Sequence, residues 1–261
     1  MMLKNREPML LRGKSLRGAF VALMCACLAA LLPVSTAVAG GFEMEPANND
    51  ISNRASLQRG AKYYMNYCLG CHSLEHVRYQ RLSDDLGIPE DQFLEMLAFT
   101  GDELGDMVEI AMPRDQAEDW FGGVAPPDLT LVARSRGTDW IYNFLRSFYV
   151  DGDTLTGTNN KVLENTAMPH VMWSLQGLQK ATYEEDADGN EVFSGFEQVR
   201  EGRMSSREYD RVARDITNFL DYVGEPIRLE RQRMGAWVLA FIGVFIFFAW
   251  LLKREYWRDI K

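Results

Sequence analysis

Two cysteines and a histidine fall within one pentapeptide, Cys68-Leu69-Gly70-Cys71-His72. The chain has only four cysteines and three histidines, so this grouping is the part of the sequence that most clearly carries chemistry. Two thiols three residues apart on a turn can add to the two vinyl groups of one porphyrin, and the next residue then presents an imidazole to the iron. The CxxCH motif therefore predicts one covalently bound haem c, attached at Cys68 and Cys71, with His72 as an axial ligand.

A zinc site or a dithiol redox centre could use the same cysteine pair. Structural zinc sites take four ligands, and His76 and His170 are the only other cysteine or histidine residues after residue 39. Thioredoxin-like redox chemistry requires a βαβ context and has no use for the adjacent histidine. Both alternatives therefore explain less of the motif than haem attachment does.

A methionine is the expected sixth ligand, because a soft thioether favours the reduced iron in electron-transfer haems. Met112 and Met168 are each followed by proline, which favours an extended loop that can present the side chain. Spacing alone leaves both methionines open, and His170 would instead give a bis-histidine haem. His76 follows His72 by one helical turn and is expected at the surface or near a propionate.

The N-terminal region has the pattern of an export signal. Five basic residues precede an apolar run at residues 19–32, and an Ala-Val-Ala sequence ends at residue 39. This order predicts a secretory signal peptide, residues 1–39, that is cleaved before Gly40.

The C-terminal region has the pattern of a membrane span. Residues 235–252 carry no charge and would extend about 27 Å as a helix, close to the thickness of a bilayer core. Four basic residues lie in the tail, residues 253–261. Export of the preceding domain would leave this tail in the cytoplasm, as the positive-inside rule expects. The predicted organisation is thus an exported haem domain at residues 40–234, one transmembrane helix and a cytoplasmic tail.

Composition limits the class of the exported domain. With 47% hydrophobic and 25% charged residues, the chain has the composition of a globular protein. Removal of the five basic residues and one acidic residue of the signal peptide from the totals of 28 and 37 leaves 23 and 36, a formal charge of −13. This strongly acidic balance argues against a nucleic-acid partner.

The periodicity of apolar residues predicts a mainly helical domain. Apolar residues recur at helical spacing ahead of the first motif cysteine and again in residues 139–149, with a weaker pattern in residues 90–99. The clearest helix begins at a capping box formed by Ser205 and Glu208 and ends near Gly224.

A turn sequence interrupts this helical pattern. Asp188-Gly189-Asn190 is typical of a β-hairpin turn and predicts a small hairpin. Together with the haem motif, these elements predict a class I cytochrome c-like domain that is mainly α, with long loops, a small hairpin and one C-terminal transmembrane helix.

On a larger scale the sequence resembles the cytochrome c1 family, the haem-bearing subunits of the cytochrome bc1 complex. The resemblance covers nearly the whole chain after residue 39. The stretches that carry it are Cys68-Leu-Gly-Cys71-His72-Ser-Leu, Val77-Arg78-Tyr79, Pro126-Pro127-Asp128-Leu129-Thr130, Met168-Pro169-His170-Val171 and the arginine-rich start of the C-terminal span.

The resemblance also implies roles for single residues. It implies that His72 and Met168 are the axial ligands, that Pro127 lies against the haem and that Arg136 meets a propionate. Trp140 stands where many family members have a tyrosine near the propionates. After residue 39 no cysteine other than Cys68 and Cys71 is present for the extra disulfide of some relatives, so packing and hydrogen bonds must hold the loop before Met168.

The family further implies an electron relay. In that function the haem takes one electron from the Rieske iron–sulfur protein and passes it to a c-type cytochrome, while cytochrome b handles quinol and this chain performs no bond chemistry. A bacterial member would lie in the inner membrane, with its haem domain in the periplasm and its C-terminus in the cytoplasm. A free-standing, membrane-anchored cytochrome c shuttle and a haem enzyme or gas sensor with an open iron position are the alternatives.

Two acidic stretches contain no basic residue, residues 101–113 and residues 184–191. Each is a candidate docking face for a cationic cytochrome c. The alternative is a solvated acidic surface that keeps an exported domain soluble.

Overall fold

The computed structural model describes residues 42–110, 112–186 and 189–259. The predicted signal peptide lies outside these residues. In the described parts of the chain the helices are α1 (Arg54–Tyr67), α2 (Tyr79–Leu86), α3 (Glu90–Leu97), α4 (Arg114–Trp120), α5 (Val132–Ser135), α6 (Thr138–Arg146), α7 (Trp173–Gln176), α8 (Ser206–Gly224) and α9 (Arg228–Tyr256). The strands are β1 (Leu74–Arg78), β2 (Met107–Val108), β3 (Phe148–Val150), β4 (Thr158–Asn160), β5 (Gly177–Glu185) and β6 (Glu191–Glu201). They form the antiparallel pairs β1–β2, β3–β4 and β5–β6. Helices joined by long loops thus dominate, which confirms the predicted mainly α fold.

Helices α1 and α8 pack against each other in the hydrophobic core. Helix α8 begins at the predicted capping box, where the Ser205 backbone N–H donates to Glu208 Oε2 at 2.9 Å. Gly60 in α1 permits close contact, because a Cβ there would collide with the Asp215 carbonyl oxygen and lie 2.6 Å from Phe219 Cβ. A larger residue at position 60 would therefore push the two helices apart.

The other helices match their sequence patterns less completely. Helix α3 confirms the weak pattern in residues 90–99. Helix α6 ends at Arg146, so the prediction of a helix to residue 149 was wrong at its last turn. Phe148 is buried as its place in the apolar stripe suggested, but it begins β3 and pairs with Asn160 of β4. Phe148 would be buried either in a longer α6 or in β3, so the apolar pattern alone could not distinguish helix from strand at this residue.

The hairpin is longer than the small one predicted. Strands β5 and β6 pair from Gly177 opposite Glu201 to Glu185 opposite Glu191. Most of their side chains are exposed or half-buried, so an alternating apolar signal is weak in this sequence. The base of the hairpin is anchored by Gln179 Nε2, which donates to the Phe148 carbonyl oxygen at 2.8 Å.

Helix α9 contains the predicted membrane span. Its most apolar 18-residue window has a mean hydropathy of 2.4, and none of that window is buried against the rest of the chain. The helix starts seven residues before the apolar run. Arg228 forms an ion pair with Asp221 of α8, and Arg231 forms one with Glu225, the residue after α8. A helical segment that is apolar on every face and is not buried against its own chain is suited to a position in the bilayer core.

Candidate haem site

The CxxCH motif forms a tight turn at the C-terminal end of α1. The Cys68 backbone N–H donates to the Tyr64 carbonyl oxygen at 2.8 Å, which continues the helical pattern for one residue. The backbone N–H groups of Cys71 and His72 then both donate to the Cys68 carbonyl oxygen, at 3.0 and 2.9 Å. This turn places both thiols and the imidazole on the wall of one cavity of about 430 Å³.

The imidazole of His72 is buried and held in one orientation. Its Nδ1 lies 2.7 Å from the Pro127 carbonyl oxygen, and a carbonyl can only accept, so Nδ1 carries the hydrogen and Nε2 keeps a free lone pair. Burial lowers the pKa of His72, opposed by the hydrogen bond to Pro127. The Tyr64 hydroxyl fixes the backbone by donating to the His72 carbonyl oxygen at 2.7 Å. The ring is therefore neutral and presents Nε2 as a metal ligand would.

Met168 lies on the wall of the same cavity, in the loop that follows β4. The other candidates for a sixth ligand, Met112 and His170, do not line it. His76, expected at the surface or near a propionate, is exposed. His170 is buried and stacks on Phe148, with ring centroids 5.1 Å apart. Burial lowers the pKa of His170 to about 4. Of the described methionines and histidines, Met168 and His72 are thus the pair that this cavity brings together.

A cation and an aromatic ring stand at another part of the wall. The Arg136 guanidinium lies 5.3 Å from the centroid of the Trp140 ring, and Trp140 stacks on Phe144 with centroids 4.9 Å apart. Among the described residues no carboxylate forms an ion pair with Arg136, although two arginines nearby in the sequence, Arg134 and Arg146, are both paired. An exposed cation without a protein anion beside an apolar cavity fits a propionate of a bound haem.

Cys68 and Cys71 are not joined in a disulfide. Burial, with a smaller contribution from Cys71, raises the pKa of Cys68 to about 12, and burial also raises the pKa of Cys71. Redox and zinc-binding cysteines need an accessible thiolate, and no group of three potential metal ligands of the His, Cys, Asp or Glu type occurs in the described residues. The zinc and dithiol alternatives therefore find no support in this site.

All seven residues predicted from the sequence meet at this cavity. They are Cys68, Cys71, His72, Pro127, Arg136, Trp140 and Met168. The sequence argument did not identify the apolar wall supplied by Ile141 and Leu145 of α6 and by Ile216 and Leu220 of α8. Their helical periodicity was visible, but periodicity does not distinguish a core contact from a cofactor contact.

The donor set fits haem c. Two thiols three residues apart, an imidazole with a free Nε2, a thioether on the same cavity and an unpaired arginine match the vinyl groups, the two axial positions and a propionate of one porphyrin. With a single membrane-length helix after the domain, these features define a membrane-anchored c-type cytochrome.

The chain belongs to the cytochrome c1 family, whose sequence profile matches residues 48–260. It is 48% identical to cytochrome c1 of Allochromatium vinosum, over 91% of this chain and 98% of the relative. It is also 43% identical to a protein of Nitrosomonas europaea named ammonia monooxygenase gamma subunit, over 89% of this chain and 96% of the relative. A third relative, cytochrome b/c1 of Bradyrhizobium diazoefficiens, is 26% identical over 95% of this chain and 40% of its own length.

Family membership confirms several predictions made from the motifs. The chain is a bacterial-type cytochrome c1, carries a covalently bound haem c and serves as the electron-transfer subunit of the cytochrome bc1 complex, together with cytochrome b. It is a protein of the inner membrane, and among the described residues α9 is the one helix long and apolar enough to span a bilayer.

Proposed function

We propose that His72 and Met168 ligate the haem iron and that Cys68 and Cys71 form the thioether bonds. The observation that carries the proposal is that His72 and Met168 line the same cavity. The Pro127 carbonyl oxygen fixes the His72 ring there. Arg136 and Trp140 then face the propionates, and Pro127 lies against the macrocycle.

The chain's own residues keep this site rigid and dry. When bound, the haem supplies a one-electron iron couple. The side chains of α6 and α8 on this wall are mostly apolar and offer water few hydrogen-bond partners, and a neutral imidazole and a thioether carry no charge that must be moved when the iron changes oxidation state. Rigid neutral ligands in a dry cavity reduce the rearrangement that accompanies each electron transfer.

The partners and the orientation belong to the same proposal. The Rieske iron–sulfur protein is the electron donor and a c-type cytochrome is the acceptor, while cytochrome b anchors the chain in the complex. Residues 1–39 are removed as a signal peptide, residues 40–234 form the periplasmic haem domain, residues 235–252 span the bilayer and residues 253–261 lie in the cytoplasm. The four basic residues of that tail support this orientation.

A purification from native membranes tests the partners. Cytochrome b and an iron–sulfur protein should co-purify with the full chain when it is solubilised in a mild detergent. Recovery without cytochrome b would contradict membership of a bc1 complex. Recovery with subunits of a monooxygenase would instead favour the role in the name of the Nitrosomonas relative.

Covalent attachment is tested by denaturation. Thioether bonds survive unfolding in acid and detergent, whereas axial bonds do not, so haem should stay with the denatured chain. We expect the Cys68→Ala, Cys71→Ala double variant to lose essentially all haem staining of the denatured band. Staining that persisted in the double variant would contradict the assignment of the motif.

A further inference from the structure

The loop of residues 161–169 forms one wall of the haem cavity without any helix or strand. Its residues are half-buried or exposed, so hydrogen bonds rather than core packing must hold its backbone in place. Two buried asparagines at the end of β4 provide them. Asn159 and Asn160 are 6% and 0% exposed, and both side chains turn toward the loop that follows.

The two side-chain oxygens accept hydrogen bonds from the loop backbone. Asn160 Oδ1 accepts from the N–H groups of Val162 and Leu163, at 2.9 and 3.2 Å. Asn159 Oδ1 accepts from the N–H of Asn165, at 2.8 Å. Leu163 and Asn165 themselves line the haem cavity, so these hydrogen bonds fix the wall directly.

The amide nitrogens tie the same asparagines to the rest of the domain. Asn160 Nδ2 donates to the carbonyl oxygen of Phe144 at 2.8 Å, and Asn160 Oδ1 also accepts from the Ser147 hydroxyl at 2.9 Å. Asn159 Nδ2 donates to Asp151 Oδ2 at 2.9 Å. The loop is therefore linked to the end of α6, whose Phe144 forms part of the cavity wall.

The next residue holds the start of the loop from the other side. The Lys161 side chain is only 10% exposed, and its Nζ lies 3.3 Å from Glu164 Oε1. The same ammonium group lies 5.3 Å from the ring centroid of Tyr183 and 5.4 Å from that of Phe193, both on the β5–β6 hairpin. These cation–π contacts join the loop to the hairpin.

We propose that Asn159 and Asn160 are positioning residues that hold the 161–169 loop so that Met168 stays on the iron. They do by hydrogen bonding what a disulfide across this loop would do covalently, in a chain whose only cysteines after residue 39 are Cys68 and Cys71. This inference rests on the proposal that Met168 is the sixth ligand.

The first test replaces Asn160 with alanine in the full haem-loaded chain. Loss of a buried acceptor that satisfies several donors costs about 1–3 kcal/mol, so the fraction of iron without methionine should rise roughly fivefold to 150-fold. Carbon monoxide binding to the reduced protein and the reduction potential report that fraction. We expect faster carbon monoxide binding and a lower potential. Asn160→Asp keeps an acceptor oxygen for the loop N–H groups and should retain more methionine ligation than Asn160→Ala.

Asn143→Ala is the matched control. Asn143 is 2% exposed and makes three side-chain hydrogen bonds, two to Glu45 and one to Asp139, but none to the loop. It should leave carbon monoxide binding unchanged, although it also removes a buried amide. Equal effects of Asn143→Ala and Asn160→Ala, or no effect of either, would overturn the inference.

Hydrogen exchange on the unaltered holoprotein gives an answer even if Asn160→Ala fails to take up haem. The N–H groups of Val162, Leu163 and Asn165 should exchange slowly despite lying in a loop, and fast exchange there would overturn the inference.

The Met168→Leu variant distinguishes failure of the ligand assignment from failure of the positioning role. If it leaves carbon monoxide binding unchanged, the ligand assignment fails. If it opens the iron while Asn160→Ala does not, only the positioning role fails.

Discussion

The imidazole of His72 is held by a backbone carbonyl rather than by a carboxylate. The Pro127 carbonyl oxygen fixes the tautomer but brings no full negative charge next to the ring, so the imidazole is less electron-rich than one paired with Asp or Glu. A less electron-rich imidazole would favour the reduced iron, as a thioether ligand also would. The two proposed ligands therefore act in the same direction on the reduction potential.

The choice between the two methionines that precede proline gives a direct prediction. Met168→Leu should lower the reduction potential and let carbon monoxide bind most of the reduced haem, because leucine fills the space without donating an electron pair. Met112→Leu is the control, since Met112 does not line the cavity, and it should change neither property. Spectroscopic redox titration and carbon monoxide difference spectra measure both effects. The reverse pattern would move the ligand to Met112.

Only part of this site could be predicted from sequence. The sequence predicts roles for Cys68, Cys71 and His72, because attachment to one porphyrin would fix their spacing along the chain. Met168 and Met112 could not be separated by spacing, since both precede proline, and the resemblance to a family was needed to choose. Asn160 gave no signal at all, because its role depends on where the loop after β4 folds back onto α6.

At the scale of elements, the junction between α8 and α9 joins the haem domain to the membrane span. Glu225 lies between them and pairs with Arg134 of α5 at 2.6 Å and with Arg231 of α9 at 2.5 Å. The hydrogen bonds from these two arginines lower the pKa of Glu225. The core, in contrast, is complete before α9 begins, since no residue of α9 is buried. The junction therefore orients the span without contributing apolar packing to the haem domain.

A chain that ends at Met234 should consequently fold without the membrane span. We expect it in the soluble fraction, with its haem absorption spectrum unchanged from that of the full chain. The full chain, which should stay in the membrane fraction, is the control. Cell fractionation followed by spectroscopy of each fraction provides the measurement. A truncated chain that loses its haem would show that the span contributes to the fold of the domain.

The elements also show where sequence patterns succeed. Helix α8 could be predicted from end to end, because a capping box, an apolar stripe and a terminal Gly224 all point to the same boundaries. Only the presence of the β5–β6 hairpin could be predicted, from a turn sequence whose Asp188 lies outside the described residues. Its arms are held by backbone pairing and by Gln179 at the base, and neither of these leaves an apolar pattern in the sequence.

For the whole molecule, charge is the property that concerns partners. Residues 40–252 carry 19 basic and 34 acidic residues, a formal charge of −15, before the haem propionates are added. Within the first acidic stretch, residues 101–113, Asp106 accepts hydrogen bonds from two backbone N–H groups of its own loop. Asp102, Glu103 and Glu109 are exposed. The Ile110 N–H donates to the Ser73 hydroxyl at 3.0 Å, which ties this stretch to the residue after His72.

The described residues of the second acidic stretch, 184–186 and 189–191, lie at the tip of the β5–β6 hairpin. Glu184, Glu185 and Glu191 are exposed there, and Glu185 is paired directly with Glu191 across the strands. Like charges directly opposite each other on paired strands are mildly destabilising, so the Glu185–Glu191 pair slightly lowers the stability of the hairpin. The pairing of Glu185 with Glu191 lies at the free end of the hairpin, whereas the base, near Gln179, contacts β3.

The position of each stretch relative to the CxxCH turn gives the last prediction. A cationic cytochrome c must reach the haem for electron transfer, so the stretch tied to Ser73 should guide it more effectively than the hairpin tip. Asp102→Lys, Glu103→Lys and Glu109→Lys together should slow bimolecular electron transfer at low salt. The difference should shrink as the Debye length falls from roughly 30 Å at 0.01 M to about 8 Å at 0.15 M salt. Stopped-flow kinetics at several ionic strengths measures it.

Reversal of Glu184, Glu185 and Glu191 to lysine is the control, because it changes the net charge by the same amount at a different place. If net charge alone attracts the partner, the two triple variants should slow the reaction equally at every ionic strength, since long-range attraction depends on total charge. If position matters, the first variant should lose more of its low-salt rate than the second. A larger loss in the hairpin variant would place the docking surface at the tip of β5 and β6.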